Sequence, residues 1–122
     1  MLSENLTGEH LTRLLQAVSV AASGDCDGVI VTHGTDTLQY SSAALGYAFA
    51  GCKKPIVVVS SNFPLGDKRA NGQANFDAAV AFIRQNISGV FVSYRNTGER
   101  AVGIHRATRL MRHREYDDKL FS

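Results

Sequence analysis

Gly28-Val29-Ile30-Val31-Thr32-His33-Gly34-Thr35-Asp36-Thr37 is the stretch whose reading decides the fold. Its β-branched run is consistent with a buried parallel strand, although periodicity alone does not separate this from a buried helix segment. The run ends in a polar turn with one glycine and three threonines, and Leu38 to Ala50 then reads as a helix. Hydroxyls and a carboxylate therefore sit where the carboxyl end of a strand meets the start of a helix. In open α/β sheets ligands bind at that place. Helix capping is the simpler use of such residues: Thr35 or Asp36 would accept a hydrogen bond from a free helix N–H, worth about 1 kcal/mol. One residue suffices for a cap, however, and five of the six residues from Thr32 to Thr37 are polar.

Outward from this turn the chain alternates helices and strands. Upstream, Thr7 reads as an N-cap, followed by Leu11, Leu14, Leu15 and Val18 at the spacing of an amphipathic helix. Ser23-Gly24-Asp25 reads as its stop. Downstream, Gly51 and Lys53-Lys54 end the helix predicted at about 37–50, and Pro55 opens a second buried strand through Ser60. A polar loop is expected from Ser61 to about Asn75, long enough to suggest a functional role. Phe76 to Arg84 reads as a helix and Gly89 to Tyr94 as a third strand. Asn96-Thr97-Gly98-Glu99 reads as a turn, after which Ala101 to Arg109 pairs back as a fourth, antiparallel strand. The order α-β-α-β-α-β-β predicts right-handed crossovers in a doubly wound sheet.

Composition limits the remaining classes. The 122 residues suit one domain with one core, and a hydrophobic fraction of 44% is ordinary for a globular protein. A formal charge of +2 gives no reason to expect a nucleic-acid or membrane-surface partner. No apolar run approaches the roughly 20 residues that span a bilayer, and Met1 to Asn5 carries no signal-peptide pattern. Cys26 and Cys52 lack metal-ligand spacing and read as reduced, half-buried thiols near the amino ends of adjacent strands, as in a cytoplasmic protein.

Thr32-His33-Gly34-Thr35-Asp36-Thr37, preceded by Asp27-Gly28-Val29-Ile30-Val31, resembles a signature of the bacterial-type L-asparaginase family. Ser3-Glu4-Asn5-Leu6-Thr7 resembles that family's Ser-Glu-Asn-Met-Thr segment, and Lys54 to Val59 its next strand. Arg69-Ala70-Asn71-Gly72, with Asn75 beyond, resembles its Ser-Ala-Asp-Gly loop, and Gly89-Val90-Phe91-Val92 its Gly-Val strand. The order and spacing of these pieces cover nearly the whole chain.

The resemblance implies a flavodoxin-like three-layer α/β/α domain and an amidohydrolase, without a cofactor, that converts asparagine, or glutamine, to the acid and ammonia. It implies a homo-oligomer, and a threonine nucleophile in a Gly-Gly-Thr motif that this sequence does not contain. By motif position Thr35 is the second catalytic threonine, and Asp36 is its aspartate and the partner of the substrate α-ammonium. Ser3 matches the residue that holds the α-carboxylate, with Glu4 beside it. The family's lysine aligns with Arg109, or with Leu110 after a one-residue shift. Arginine stays protonated, so Arg109 would supply positive charge but accept no proton; it could equally be a solvent-facing strand residue. The reading is that of a partial N-terminal domain over residues 1–122, without the family's first strand and C-terminal domain. The absent strand would lie at the centre of the sheet, so a gap between two strands is expected. Two other functions fit: an asparaginase-like subunit of a tRNA-dependent amidotransferase, or an inactive binding module.

Further residues invite a role. Ser60, Ser61 and Asn62 end the second strand beside the first polar turn and could line the same pocket, with Ser61 the substrate-binding candidate. Tyr94, Arg95 and Asn96 end the third strand. His33 reads as a structural hydrogen-bonding residue, and His10 as a helix-surface one. His105, Arg106, Arg109, Arg112, His113 and Arg114 form a basic stretch that reads as a solvated face or subunit contact rather than a phosphate-binding strip.

Overall fold

The computed structural model describes residues 8–34, 38–63, 65–68, 70–96 and 100–109. Thr7 and the turn residues Thr97 to Glu99 lie outside them. Helix α1 (Gly8–Ser23) precedes strand β1 (Val29–Thr32), helix α2 (Leu38–Ala48) and strand β2 (Pro55–Val59). Helix α3 (Gly72–Ile83), strands β3 (Gly89–Tyr94) and β4 (Gly103–Arg106) and a 3-10 turn (Ala107–Arg109) follow. The apolar stripe of α1 faces inward as its spacing requires: Val18 is buried, with Leu14 and Leu15 packed against the same cluster. Glu9 and Arg13 pair at 2.8 Å on its exposed side.

The strands lie in the order β1-β2-β3-β4. β1 pairs parallel to β2 with Val29 opposite Ile56, and β2 parallel to β3 with Pro55 opposite Gly89. β4 runs antiparallel to β3, with Phe91 opposite Arg106. Pro55 is tolerated in a central strand because it is the first residue, where a missing N–H costs least. All of β2 is buried. Its residues alternate between two cores: Ile56 and Val58 join Val18, Leu38, Leu45 and Tyr94 on the α1/α2 face, while Val57 and Val59 pack with Ala79, Phe82 and Ile83 on the α3 face. Full burial of one such side chain contributes about 1.5–3 kcal/mol. Three layers result, as expected.

Two expectations about topology are corrected. The four strands form an unbroken sheet with β1 at its edge, so no gap divides them. A further strand could add only alongside an outer strand. The crossovers are also not both right-handed. β1, β2 and β3 step in one direction across the sheet, yet α2 covers one face and α3 the other. Two such steps over opposite faces have opposite hands, so one is left-handed. Crossovers between parallel strands of one sheet are strongly right-handed as a rule, and this sheet contains an exception to it. Here α2 is also held by packing on β3 and on the 3-10 turn.

Two boundaries differ as well. The fourth strand stops at Arg106, and Ala107 to Arg109 turn away against α2. Ala107 is buried there, and Gly46 leaves room for Thr108, whose Cγ2 would lie 2.7 Å from a Cβ at position 46. Arg109 is therefore not a strand residue. Helix α3 begins at Gly72 rather than Phe76, so the loop after β2 is shorter than expected. Its first turn is polar and carries no apolar period.

Gly28 sits where β1 enters the sheet, and a Cβ there would meet Ile83 Cγ2 and the Pro55 carbonyl oxygen, both at 2.8 Å. Backbone cannot yield as a side-chain tip can. Gly28→Ala is expected to cost about 1–3 kcal/mol, as overpacking does, measured by urea unfolding; an unchanged midpoint would show that the strand entry is looser than this packing.

Candidate active site

The chain leaves β1 toward α2 on one face and leaves β2 toward α3 on the other. The carboxyl ends of β1 and β2 therefore flank a crevice between diverging connections, the ligand-binding position of open α/β sheets. The His33 N–H donates to the Val59 carbonyl at 2.9 Å and so carries the β1–β2 ladder one residue beyond Thr32. His33 Nδ1 lies 2.6 Å from the Gly34 carbonyl oxygen. A carbonyl only accepts, so Nδ1 carries a proton, and in the neutral ring Nε2 is the acceptor. This bonding fits the structural reading of His33.

A cavity of about 430 Å³ opens at this end of the sheet, lined by Thr32, His33, Val59, Ser60, Ser61, Leu65, Gly72, Gln73 and Phe76. Its volume lies within the range of small-molecule sites, about 300–1,000 Å³. Its wall is largely apolar, with few polar groups, as such sites generally are. Ser61 is on this wall, and its hydroxyl donates to the Phe63 carbonyl at 2.6 Å, leaving its lone pairs to accept. The Ser60 hydroxyl is buried and has no partner among the described residues. A Cβ at Gly72 would come within 2.7 Å of Ser61 Cβ, so α3 can start this close to β2 only with glycine there.

Behind the cavity two carboxamides, of Asn71 at the N-cap of α3 and of Asn75 within it, tie the strand ends together. Asn75 is fully buried; its Nδ2 donates to the Ser60 carbonyl at 2.7 Å, and its Oδ1 accepts from the Arg95 N–H at 2.8 Å. Asn71, one turn earlier, donates to the Arg95 carbonyl at 2.7 Å and accepts from the Asn62 N–H at 2.9 Å. Asn62 Oδ1 accepts in return from the Asn71 N–H at 3.0 Å.

Of the residues singled out in the sequence, Thr32, His33, Ser60 and Ser61 line the cavity, and Asn62 is not among its lining residues. Thr35, Asp36, Ser3, Glu4 and Leu110 lie outside the described residues. Arg109 has its backbone in the 3-10 turn, and its side chain lies outside the description. Tyr94 is buried among Leu38, Leu45 and Val92 and belongs to the core. In the basic stretch, the Arg106 guanidinium stands 5.6 Å over the Phe91 ring, a cation–π contact that accounts for that charge locally. Arg112, His113 and Arg114 are outside the description. Cys26 and Cys52 are free thiols, and Lys54 Nζ donates to Cys26 Sγ at 3.7 Å at the opposite end of the sheet. Sequence reasoning did not single out Gln73 or Phe76 for the cavity; their position beside Gly72 became visible only with the true start of α3.

The family model of the asparaginase N-terminal domain matches residues 1–121. The chain belongs to the asparaginase family. This asparaginase-family chain is 38% identical over 117 residues to a glutamyl-tRNA(Gln) amidotransferase subunit of Haloquadratum walsbyi, covering 90% of the chain and 25% of that protein. It is 35% identical over 73 residues to L-asparaginase 1 of Escherichia coli, covering 60% of the chain and 21% of that protein. Among solved structures it is similar to L-asparaginase I of Vibrio cholerae, with a TM-score of 0.80 and 26% identity over 100% of this chain and 35% of the other. The chain thus spans about a quarter of the length of the curated relatives it matches.

Proposed function

We propose that the protein is an L-asparaginase that hydrolyses L-asparagine to L-aspartate and ammonia, with residues 1–122 forming part of its N-terminal domain and site. The observation that carries this reading is the threonine motif: it begins at the crevice, where Thr32 and His33 line the cavity, and it leads into α2. The likeness to the Vibrio cholerae L-asparaginase along the whole chain supports it.

In this reading a threonine hydroxyl from outside residues 1–122 attacks the side-chain amide carbon. Its proton passes to the departing nitrogen, ammonia leaves, and water then cleaves the acyl-enzyme. A hydroxyl needs an adjacent base to do this. Thr35 assists as an oriented hydroxyl, and Asp36 holds the substrate α-ammonium by a charge-assisted hydrogen bond. Ser3 and Glu4 meet the α-carboxylate end, Ser61 lines the substrate's path, and Arg109 supplies positive charge. The free thiols suit the cytoplasm, and the protein acts as a homo-oligomer.

A second reading is favoured by the 38% identity to an amidotransferase component over 90% of the chain. Ammonia release from free asparagine by the purified full-length protein separates the two. Turnover on the order of 10 per second, with no tRNA or partner protein added, is expected of the asparaginase. Turnover that appears only with a partner protein and aminoacylated tRNA would establish the second reading instead.

A further inference from the structure

We propose that Asn75 is a positioning residue of the substrate pocket, fixing Ser60 to Asn62 relative to the end of β3. The substrate in this inference rests on the asparaginase reading; the geometry does not. Asn75 is fully buried in α3, yet both polar ends of its side chain are engaged by backbone just past the last ladder pairs of β2 and β3. The bond pattern fixes the amide orientation, because a flipped carboxamide would set oxygen against the Ser60 carbonyl and N–H against the Arg95 N–H. Only a group that donates and accepts at once can do this. Asn71, the N-cap, repeats the arrangement one turn earlier, so both backbone groups of Arg95 end on side chains of α3 or its cap. Where the parallel ladder stops and the strand ends would diverge, these two amides replace it. The segment they hold includes Ser60 and Ser61 on the cavity wall. Ser93 provides an internal contrast: its hydroxyl donates to the Asn75 carbonyl at 2.7 Å, a buried bond to the same residue that touches neither strand end.

The test compares Asn75→Asp with Ser93→Ala in the full-length protein, at a temperature where both are folded by near-UV circular dichroism. Asn75→Asp keeps the shape and the acceptor but loses the donor to Ser60. It is expected to raise KM for asparagine by about tenfold or more, with kcat changed by less than about threefold. Ser93→Ala is expected to lower Tm and leave KM unchanged. An Asn75→Asp protein with a lower Tm and wild-type KM overturns the proposal. A wild-type protein that turns over no asparagine would count against the proposed activity, and amide exchange then decides this inference without substrate. In Asn75→Asp the released Ser60 segment is expected to pull the Asn62 N–H off Asn71 Oδ1, so the Asn62 amide exchanges about tenfold faster or more while the Arg95 amide, still bonded to the side chain at 75, stays protected; unchanged Asn62 exchange overturns the proposal. If Asn75→Asp does not fold, Asn75→Ser, too short to bridge both strand ends, carries the KM and Asn62-exchange measurements, with the Arg95 amide expected to lose protection as well.

Discussion

On the proposed asparaginase activity, Asp36→Ala and Thr35→Val are each expected to lower kcat/KM for asparagine by more than about 100-fold in the full-length protein, the range for loss of an oriented proton-transfer or polar group. The two losses have different causes. In the proposed role, position 36 without its carboxylate would no longer pair with the substrate α-ammonium, and the charge-assisted bond would go with it. Valine at 35 keeps the branched shape but cannot pass or hold a proton. Steady-state ammonia assays on both variants, with Tm measured alongside, check this. Full specific activity with a lowered Tm in either variant would reduce the turn to a helix cap, whose loss costs only about 1 kcal/mol.

Ile56→Ala is expected to destabilise the domain by about 2–5 kcal/mol. Ile56 is fully buried, between Val29 of β1 and Val90 of β3 in the register and within the α1/α2 core. A neighbour cannot collapse into the space from the side, because strands flank it on both sides. With a urea slope of about 1–3 kcal/mol per M, the midpoint falls by about 0.7 M or more. A shift below about 0.3 M would mean that the two faces of the sheet relax independently of its central strand.

The strands were legible because each is a short β-branched run closed by glycine, proline or polar residues: 29–32, 55–59 and 89–94 all lie within the segments read from the sequence. The α1 stripe was legible from Leu14, Leu15 and Val18. The true start of helix α3 is not legible in the sequence because its first turn is specified by Asn71 and Asn75, whose partners Asn62, Ser60 and Arg95 are up to 24 residues distant. Polar residues at that spacing look like loop until their partners are known. The fourth strand was read too long because Ala107 has the composition of a strand residue and is buried against a helix instead. The hand of a crossover leaves no local trace at all; it depends on which face each helix covers, and a fully apolar β2 offers both faces equally. At the site, the crevice and Ser61 followed from strand–turn–helix order. The amides behind them did not, since hydrogen bonds to main chain are blind to side-chain identity in the partner.

The opposite hands of the two crossovers give any occupant of the crevice an unusual mechanical position. A molecule lodged between the ends of β1 and β2 touches one connection that belongs to the α1/α2 layer and another that belongs to the α3 layer. It bridges, in effect, the two outer layers of a laminate whose middle layer is the sheet. Occupancy then slows the opening of both helical layers together, where a crevice between same-face connections would fasten only one.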